Sequence, residues 1–247
     1  MKVTIVGIWG AYPEAGAATT SFLLEEDGFC LLVECGSGVL SQVQQYAALS
    51  ELDAVVLTHY HHDHAADLGC LQYGMMIQTL MGHRHKPLPI YGHAEDKKQF
   101  ARLTYGKAPF TVGMALSDGE TKPIGPWRVS ACATMHEAYC LALKFQTPSG
   151  KTLVYTGDTG WSQAVVDFSQ GADLLISEAT LFDEQKGQAP GHLTAGQAGE
   201  LAANAEAGRL LLIHFSHAGD LEKLRRQAQR PYGGLTELAQ PGMTILL

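Results

Sequence analysis

One stretch with the letters HYHHDH constrains this chain more than any other, because it places ligand-type side chains directly after an apolar run. The apolar run, residues 54–58, predicts a buried strand. Alternate residues of extended backbone point to the same side, so His59 and His61 face one point. Asp63 and His64 follow where the chain must turn, which directs them to a second point nearby. Imidazole nitrogens with a carboxylate suit Zn²⁺ or a similar divalent ion, although consecutive histidines also cap helices or lie in solvent.

Three further ligand-type residues stand where predicted strands end. His136, Asp158 and His214 each follow an apolar run, where the chain leaves the core and where sites are usually built. Each of them taken alone is equally consistent with an ordinary polar strand end. Together with HYHHDH they provide enough ligands for two metals if one carboxylate bridges. The candidate metal ligands are His59, His61, Asp63, His64, His136, Asp158 and His214.

Composition limits the class of protein. The chain has 247 residues, with 17 Lys+Arg against 25 Asp+Glu and a formal net charge of −8. Its 46% of hydrophobic residues can fill a core, which excludes a disordered acidic tail. The acidic balance argues against holding nucleic acid by diffuse neutralisation of phosphates, although it is compatible with a local basic patch. The 11 histidines are a surplus that the predicted metal site explains.

Cysteine usage and hydropathy predict a cytoplasmic protein without a membrane-spanning segment. The five cysteines form no CxxC pair, which favours buried thiols in a reducing compartment. The first residues, MKVTIVGIWG, contain a short apolar run interrupted by glycine, which predicts a strand and not a signal peptide. No apolar run is long enough for a transmembrane helix.

The strand and helix patterns predict one layered α/β domain over residues 1–247. No internal repeat, low-complexity tract or long Pro/Ser linker divides the chain. Apolar runs predict strands at 3–8, 21–25, 30–34, 54–58, 111–116, 127–134, 141–146, 152–156, 174–177 and 209–214, with a final strand pair. Helical spacing predicts helices at 39–47, 68–81, 162–168, 194–207 and 221–229. A β-rich middle with helices on each flank indicates sheets packed face to face with helices outside.

The ligand pattern resembles the metallo-β-lactamase superfamily of metallohydrolases, and most closely its RNase Z-like phosphodiesterase branch. HxHxDH is followed by a strand-end His, a Gly-Asp pair and another strand-end His. The supporting stretches are YTGDTG at 155–160, SEATLF at 177–182, GHLTA at 191–195 and LIHFS at 212–216. The resemblance covers almost the whole chain. It implies an αββα sandwich with the metals at one edge of the paired sheets.

The resemblance also implies a role for each candidate ligand. It assigns His59, His61 and His136 to a first metal, Asp63, His64 and His214 to a second, and Asp158 to a bridge between them. Two divalent ions about 3.5–4 Å apart share a water and lower its pKa to roughly 7, so that hydroxide attacks a phosphorus or carbonyl centre. Asp63 accepts a hydrogen bond from this water or takes its proton.

His192 points to phosphodiester chemistry. By the resemblance it is a histidine outside the ligand set that contacts the scissile phosphate or protonates the leaving oxygen. Glu178 is its expected orienting partner, because a carboxylate fixes the tautomer of a histidine. The plainer alternatives are that His192 is a polar loop residue before a helix capped by Thr194, and that Glu178 caps local backbone.

Two departures from the family pattern bear on function. The interval between His136 and Asp158 has room for two strands and a turn only, so the tRNA-gripping arm of RNase Z enzymes is absent. Family members usually carry Asp-Cys-Gly after the third strand, where this chain has Glu34, Cys35 and Gly36. Any support that this carboxylate gives to the metal-binding loop therefore depends on a side chain one methylene longer.

These observations favour a binuclear metal-dependent phosphodiesterase acting on small or single-stranded phosphodiesters. The cofactor is predicted as two divalent ions, zinc before manganese or iron, because His and Asp ligands accept several metals. Nucleic acid is a disfavoured partner, so maturation of tRNA 3′ ends ranks lower. An ester, thioester or lactone hydrolase on the same metals is another alternative, and a metal-binding scaffold without turnover is the last. The apolar helix at 68–81 is compatible with a homodimer and equally with a core-facing helix.

Overall fold

The computed structural model describes all residues from Met1 to Leu247, which form two compact units. Unit 1 comprises Met1–Ser117 and Gln240–Leu246, and unit 2 comprises Asp118–Ala239 with Leu247. Each unit contains one seven-stranded sheet. That residues 1–247 act as one domain stays a prediction. None of the helices combines the length and the apolar character needed to cross a membrane.

The sheet of unit 1 is mixed. Its strands are β1 (Lys2–Gly7), β2 (Ser21–Glu26), β3 (Phe29–Val33), β4 (Ala54–Val56), β5 (Leu88–Gly92), β6 (Thr111–Ala115) and β14 (Thr244–Leu246). They lie in the order β14-β1-β2-β3-β4-β5-β6, antiparallel from β14 to β3 and parallel from β3 to β6. Asp27 and Gly28 close the β2–β3 hairpin with φ angles of 50° and 79°, the conformation that a tight two-residue turn requires.

The helices of unit 1 follow the parallel strands. They are α1 (Val39–Val43), α2 (His62–Ala65), α3 (Leu68–Leu80) and α4 (Lys97–Ala101). Helix α3 buries Leu71 and Met75 in the core cluster. It nevertheless exposes Leu80 and, beyond its end, Met81. An apolar helix with an exposed apolar side is unusual for an isolated surface helix.

The sheet of unit 2 has β7 at one edge and β13 at the other. Its strands are β7 (Thr121–Ile124), β8 (Trp127–Ala133), β9 (Leu141–Gln146), β10 (Thr152–Tyr155), β11 (Leu174–Glu178), β12 (Leu210–Ile213) and β13 (Thr236–Leu238). Strands β7 to β10 are antiparallel, whereas β10 to β13 are parallel. Its helices are α5 (Gln163–Phe168), α6 (Ala195–Asn204) and α7 (Leu221–Tyr232).

Parallel pairing brings the ends of neighbouring strands to one edge of each sheet. In unit 1, β3 and β4 end side by side, and the N–H of Glu34 donates to the carbonyl of Val56 at 2.9 Å. In unit 2, β10, β11 and β12 end at one edge, which is where Asp158, Glu178 and His214 lie. Strand β8 runs in the same direction as β10, because both are antiparallel to β9, so its end leads to this edge as well.

The structure differs from the predicted elements at several places. Strand β5 was not predicted, because Pro89 disfavours an interior strand. Helices α2 and α4 were not predicted, because four or five residues are too few to show a helical period. Strand β7 was not predicted either, because it is a short, largely exposed edge strand without an apolar run. The predicted final strand pair is wrong: β13 pairs with β12 in unit 2, and β14 pairs with β1 in unit 1.

Candidate metal centre

Unit 1 gathers the four ligand candidates of the HYHHDH stretch directly after β4. His61 is in extended conformation (φ −60°, ψ 153°) and precedes α2, so Asp63 and His64 lie on the first turn of that helix. The ring centroid of His59 lies 4.7 Å from that of His61 and 4.2 Å from that of His64. His59 and His64 are fully buried, so the short helix packs these rings into one cluster.

Glu34 supports this cluster from the end of β3. Its carboxylate is fully buried and accepts hydrogen bonds from the hydroxyl of Thr58 at 2.6 Å and from the N–H of Thr58 at 3.3 Å. Its Oε1 also lies 3.3 Å from Nδ1 of His64. Burial raises the pKa of Glu34, although His64 and the bonds from Thr58 act against this. The side chain of Glu34 therefore reaches the histidine loop.

Backbone contacts hold Asp63 and its helix in place. The N–H of Ala11 donates to Oδ2 of Asp63 at 2.8 Å. The N–H of Cys35 donates to the carbonyl of His64 at 2.9 Å, which ties α2 to the end of β3. A Cβ on Gly36 would overlap the carbonyl oxygen of Asp63. Glycine is thus required at position 36 for the close approach of α2.

Unit 2 gathers the remaining candidates at the edge where its parallel strands end. The ligand atoms of His136, Asp158 and His192 all lie within 4.8 Å of one another, and so do those of Glu178, His192 and His214. Asp158 is 2% exposed, and its carbonyl accepts a hydrogen bond from the hydroxyl of Thr134 at 2.7 Å. These are imidazole and carboxylate donors of the kind that hold divalent metals.

The hydrogen bond of His136 determines which of its nitrogens can bind a metal. Nδ1 lies 3.1 Å from the carbonyl oxygen of Gly191 and 3.1 Å from Oε2 of Glu137. A carbonyl oxygen only accepts, so Nδ1 carries the proton and Nε2 keeps its lone pair. Metal-binding histidines have this arrangement, with the second nitrogen donating to a carbonyl or carboxylate.

His214 occupies a strained position beside Asp158. Its φ of 62° is in the left-handed region, which is uncommon for residues other than glycine. Nε2 of His214 lies 3.5 Å from Oδ2 of Asp158, and Nδ1 lies 2.9 Å from the hydroxyl of Thr180. Such strain persists where the surroundings fix a residue, and it is concentrated at functional sites.

Glu178 orients His192, the second catalytic candidate of unit 2. Oε1 of Glu178, which is fully buried, lies 3.0 Å from Nδ1 of His192 and accepts the N–H of Thr159 at 2.8 Å. Burial lowers the pKa of His192, but the hydrogen bond and charge of Glu178, with Asp158 and Glu137, outweigh it and raise that pKa to about 9. The His192 ring stacks on that of His214, with a centroid separation of 5.7 Å.

The basic loop at residues 83–86 lies away from the histidine cluster of unit 1. Arg84 donates to the carbonyls of Ser50 and Leu52, which precede β4, whereas His59 follows β4. The side chains of His83, His85 and Lys86 are exposed. Arg84 therefore anchors this loop to the residues before β4, and the other three side chains face solvent.

Sequence reasoning did not identify Thr58 and Thr180. Both hydroxyls bond a buried glutamate and a ligand candidate, but one partner of each is distant in sequence, Glu34 for Thr58 and His214 for Thr180. The only local signal for Thr58 is its position directly before His59. The hydrogen bond from the N–H of Ala11 to Asp63 could not be predicted either, because every residue except proline has a backbone N–H.

The imidazole and carboxylate donors of both units are of the kind that holds a divalent metal. A family model described as the beta-lactamase superfamily domain matches residues 30–215. The chain is 40% identical over 242 residues to the Bacillus subtilis (strain 168) protein named "Probable metallo-hydrolase YhfI", covering 98% of each. It also matches a crystal structure of YhfI, a metallo-beta-lactamase fold protein, with a TM-score of 0.93 at 39% identity, covering 99% of both chains. The chain therefore belongs to the metallo-β-lactamase superfamily.

Two more distant relatives are named after phosphate chemistry. A ribonuclease Z from Natronomonas pharaonis is 26% identical over 304 aligned residues, covering 99% of this chain and 97% of the relative. The structure of a diphosphatase from the PhnP family has a TM-score of 0.76 at 19% identity, covering 100% of this chain and 97% of that one. This second likeness concerns the fold alone.

The comparisons confirm three predictions made from the sequence. The family resemblance is correct, and so is the fold class, the αββα sandwich of the metallo-β-lactamase type. The protein is a metal-dependent hydrolase of this superfamily, with relatives among the RNase Z enzymes. The identity and number of its metals, its substrate and the roles of individual residues are matters for proposal.

Proposed function

We propose that this protein is a binuclear metal-dependent phosphodiesterase acting on small or single-stranded phosphodiesters. The observation that carries the proposal is the pair formed by Glu178 and His192. A fully buried carboxylate holds a partly exposed imidazole, whose ring stacks on a ligand candidate. A histidine oriented in this way suits proton donation to the leaving oxygen of a phosphodiester.

The proposed ligands are those that the family resemblance implies. His59, His61 and His136 would hold one metal, Asp63, His64 and His214 would hold a second, and Asp158 would be a ligand to both. When bound, two divalent ions activate a water for attack and stabilise charge on the substrate oxygens. We favour zinc over manganese or iron, since zinc suits mixed imidazole and carboxylate donors. The arrangement of Nδ1 hydrogen bonds around His59, His136 and His214 supports coordination through Nε2.

Two side chains move protons in the proposed reaction. Asp63, held by the Ala11 N–H, accepts a proton from the attacking water. His192 donates from Nε2, because its Nδ1 is engaged with Glu178 at 3.0 Å. The Glu178 carboxylate stabilises the charged ring before transfer and fixes its orientation throughout.

Small substrates are favoured over tRNA by the lengths of the relatives. The alignment with ribonuclease Z takes 304 positions although this chain has only 247 residues, so that relative carries segments without a counterpart here. The alignment with YhfI needs no such excess. The net charge of −8 offers no alternative grip on a large polyanion. Maturation of tRNA 3′ ends is the second candidate, because of the ribonuclease Z relatives.

A substrate panel with the variant His192→Ala tests this proposal. The panel contains a dinucleotide, a bis-aryl phosphodiester, an aryl ester and a lactone, with metal content measured in parallel. We expect His192→Ala to keep both metals and to lower kcat on the dinucleotide by about 10²–10⁴-fold. The loss is smaller on the bis-aryl compound, since its leaving group needs less protonation. His83→Ala, on an exposed histidine of unit 1, is the matched control and leaves turnover unchanged.

Two results would overturn the proposal. Preferred turnover of the lactone or ester, indifferent to His192→Ala, would assign the site to carboxylic ester chemistry. Cleavage of pre-tRNA far above that of the dinucleotide, with binding that weakens steeply as salt rises, would establish the tRNA reaction in its place.

Self-association is a further element of this proposal. Helix α3 and the residue after it expose four large apolar side chains, namely Tyr73, Ile77, Leu80 and Met81. We expect a homodimer through this surface, which light scattering checks by comparing wild type with Leu80→Glu. A monomer in both would exclude it. The cytoplasmic location stays a prediction from the sequence.

A further inference from the structure

Each unit contains the same chain of three groups: a buried glutamate, a threonine hydroxyl and a histidine. In unit 1 the hydroxyl of Thr58 lies 2.6 Å from Oε1 of Glu34 and 3.0 Å from Nδ1 of His59. All three residues are fully buried. Neither the family roles nor the proposed reaction uses the threonine.

The proton positions in unit 1 follow from the number of hydrogens available. A threonine hydroxyl has one hydrogen to donate and lone pairs that accept. The short contact to the carboxylate of Glu34 uses that hydrogen, because an ionised carboxylate only accepts. The hydroxyl must then accept from Nδ1–H of His59. His59 is thereby held as the tautomer whose Nε2 has a lone pair.

Unit 2 repeats this arrangement with different residues. The hydroxyl of Thr180 donates to Oε2 of Glu178 at 2.6 Å and lies 2.9 Å from Nδ1 of His214. The same hydrogen count makes Nδ1 of His214 the donor, which leaves the lone pair on Nε2. Nε2 of His214 is the nitrogen that lies 3.5 Å from Oδ2 of Asp158.

We propose that Thr58 and Thr180 are positioning residues that fix the Nδ1–H tautomers of His59 and His214 and so present Nε2 to a divalent metal. The inference rests on the proposed function for the assignment of both histidines as ligands. A hydroxyl is needed because it donates and accepts at once. A valine has the same shape but does neither, and a serine preserves both.

The test combines valine and serine variants with two measurements on the full chain. Retention of zinc against a competing chelator is measured for Thr58→Val, Thr58→Ser, Thr180→Val and Thr180→Ser. Loss of such an orienting group typically weakens metal binding about 10–100-fold, which we expect for both valines. Both serines restore wild-type retention. Thr111→Val is the matched control, because its buried hydroxyl likewise donates, to the carbonyl of Leu103, and accepts, from the amide of Gln72, but bonds no histidine. It leaves retention unchanged.

The second measurement reads the tautomer directly. Two-bond nitrogen–proton couplings of ¹⁵N-histidine report which ring nitrogen carries the proton, in the full chain stripped of metal at a pH where the rings are neutral. We expect Nδ1–H for His59 and His214 in wild type and in the serine variants. In each valine variant the corresponding ring becomes a mixture of the two tautomers.

Three outcomes would overturn the inference. Unchanged zinc retention in both valine variants would do so, as would Nε2–H rings in wild type. Serine variants as weak as the valine ones would show that packing, not the hydroxyl, matters. If wild type fails to bind zinc, the proposed function falls, whereas the tautomer measurement still decides the role of the threonines.

Discussion

Two clusters, one in each unit, have the same hydrogen-bond arrangement around a buried glutamate but differ in the exposure of one histidine. The Glu34 cluster consists of Glu34, Thr58, His59 and His64, and the Glu178 cluster of Glu178, Thr180, His192 and His214. In each, a fully buried glutamate reaches one histidine through a threonine and a second directly at Nδ1. The direct contacts are 3.3 Å to His64 and 3.0 Å to His192.

The difference lies in the histidine contacted directly. The side chain of His64 is 0% exposed, whereas that of His192 is 18% exposed. A buried ring beside other ligand candidates is suited to hold a metal, and a ring open to solvent is suited to meet a substrate. Under the proposed function, the same carboxylate support would serve metal binding in one unit and proton transfer in the other, because the two histidines differ in their access to solvent.

Replacing the two buried glutamates gives the largest expected difference between the two clusters, in zinc retention and in kcat. We expect Glu34→Gln to weaken zinc retention about 10–100-fold, because it supports two proposed ligands. Glu178→Gln weakens zinc retention less, because Glu178 supports only one proposed ligand, His214, through Thr180. It lowers kcat on a dinucleotide by about 10²-fold or more, because His192 loses its charged partner. Metal analysis and steady-state kinetics measure both.

The matched control for this pair is Glu51→Gln, whose exposed side chain bonds only the N–H of Ala48 among described contacts and leaves both quantities unchanged. Equal loss of metal in the Glu34 and Glu178 variants would remove the proposed distinction between the clusters.

Alanine substitutions of glycines beside the proposed ligands give a difference of intermediate size between the two units, in unfolding free energy. Gly36→Ala drives a Cβ into the backbone carbonyl of Asp63, so we expect a loss of about 3 kcal/mol in unfolding free energy together with loss of zinc. In Gly191→Ala the Cβ meets side-chain atoms, Oε2 of Glu137 at 2.6 Å and Nδ1 of His136 at 2.8 Å. These side chains can move, so we expect a smaller loss of about 1 kcal/mol in unfolding free energy.

Denaturant unfolding and zinc retention measure the glycine effects. Gly69→Ala is the control, since it lies in α3 with open space around its Cβ, and it should stabilise by about 0.5–1 kcal/mol. A Gly36→Ala protein as stable as wild type would mean that α2 does not depend on this close approach.

Substitutions of the aspartates that precede β4 and β11 give the smallest expected difference between the two units, in unfolding free energy. Asp53 accepts the N–H of Cys30 at 2.9 Å, and Asp173 accepts the N–H of Thr152 at 2.8 Å and the ammonium of Lys151 at 2.7 Å. We expect Asp53→Asn and Asp173→Asn each to cost about 1 kcal/mol. Urea unfolding measures this cost.

The effect of Asp173 depends on pH. Burial raises the pKa of Asp173, but bonds from Lys151 and Thr152 outweigh it and hold that pKa below its ordinary value. Its contribution is therefore complete above the unfolded-state pKa and is lost as pH falls through the lowered one. The gap in unfolding free energy between wild type and Asp173→Asn should shrink as pH falls below the unfolded-state pKa of about 4; a gap that widened there would refute this assignment.

The sequence predicted those parts of the fold and site that leave a local pattern. HYHHDH after an apolar run marked the loop of unit 1, and polar residues after apolar runs marked Asp158 and His214. Both depend on neighbours in sequence. The same local signals missed β5, where Pro89 lies in an interior parallel strand, because tertiary pairing overrode its propensity.

Contacts between residues distant in sequence could not be predicted. The bonds that join Glu34 to Thr58 and Thr180 to His214 exist because parallel strands end side by side, and pairing order is not encoded in any one segment. The last two strands show the same limit, since the sequence predicts that β13 and β14 pair with each other, whereas they belong to different sheets.

The central claim is that two metals and His192 together cleave phosphodiesters. Its most direct test is a titration of zinc into metal-free protein, with turnover of a bis-aryl phosphodiester followed at each addition. The account predicts that turnover appears only with zinc and rises until two equivalents per chain are bound. Full activity at one equivalent, or turnover that does not depend on metal, would contradict it.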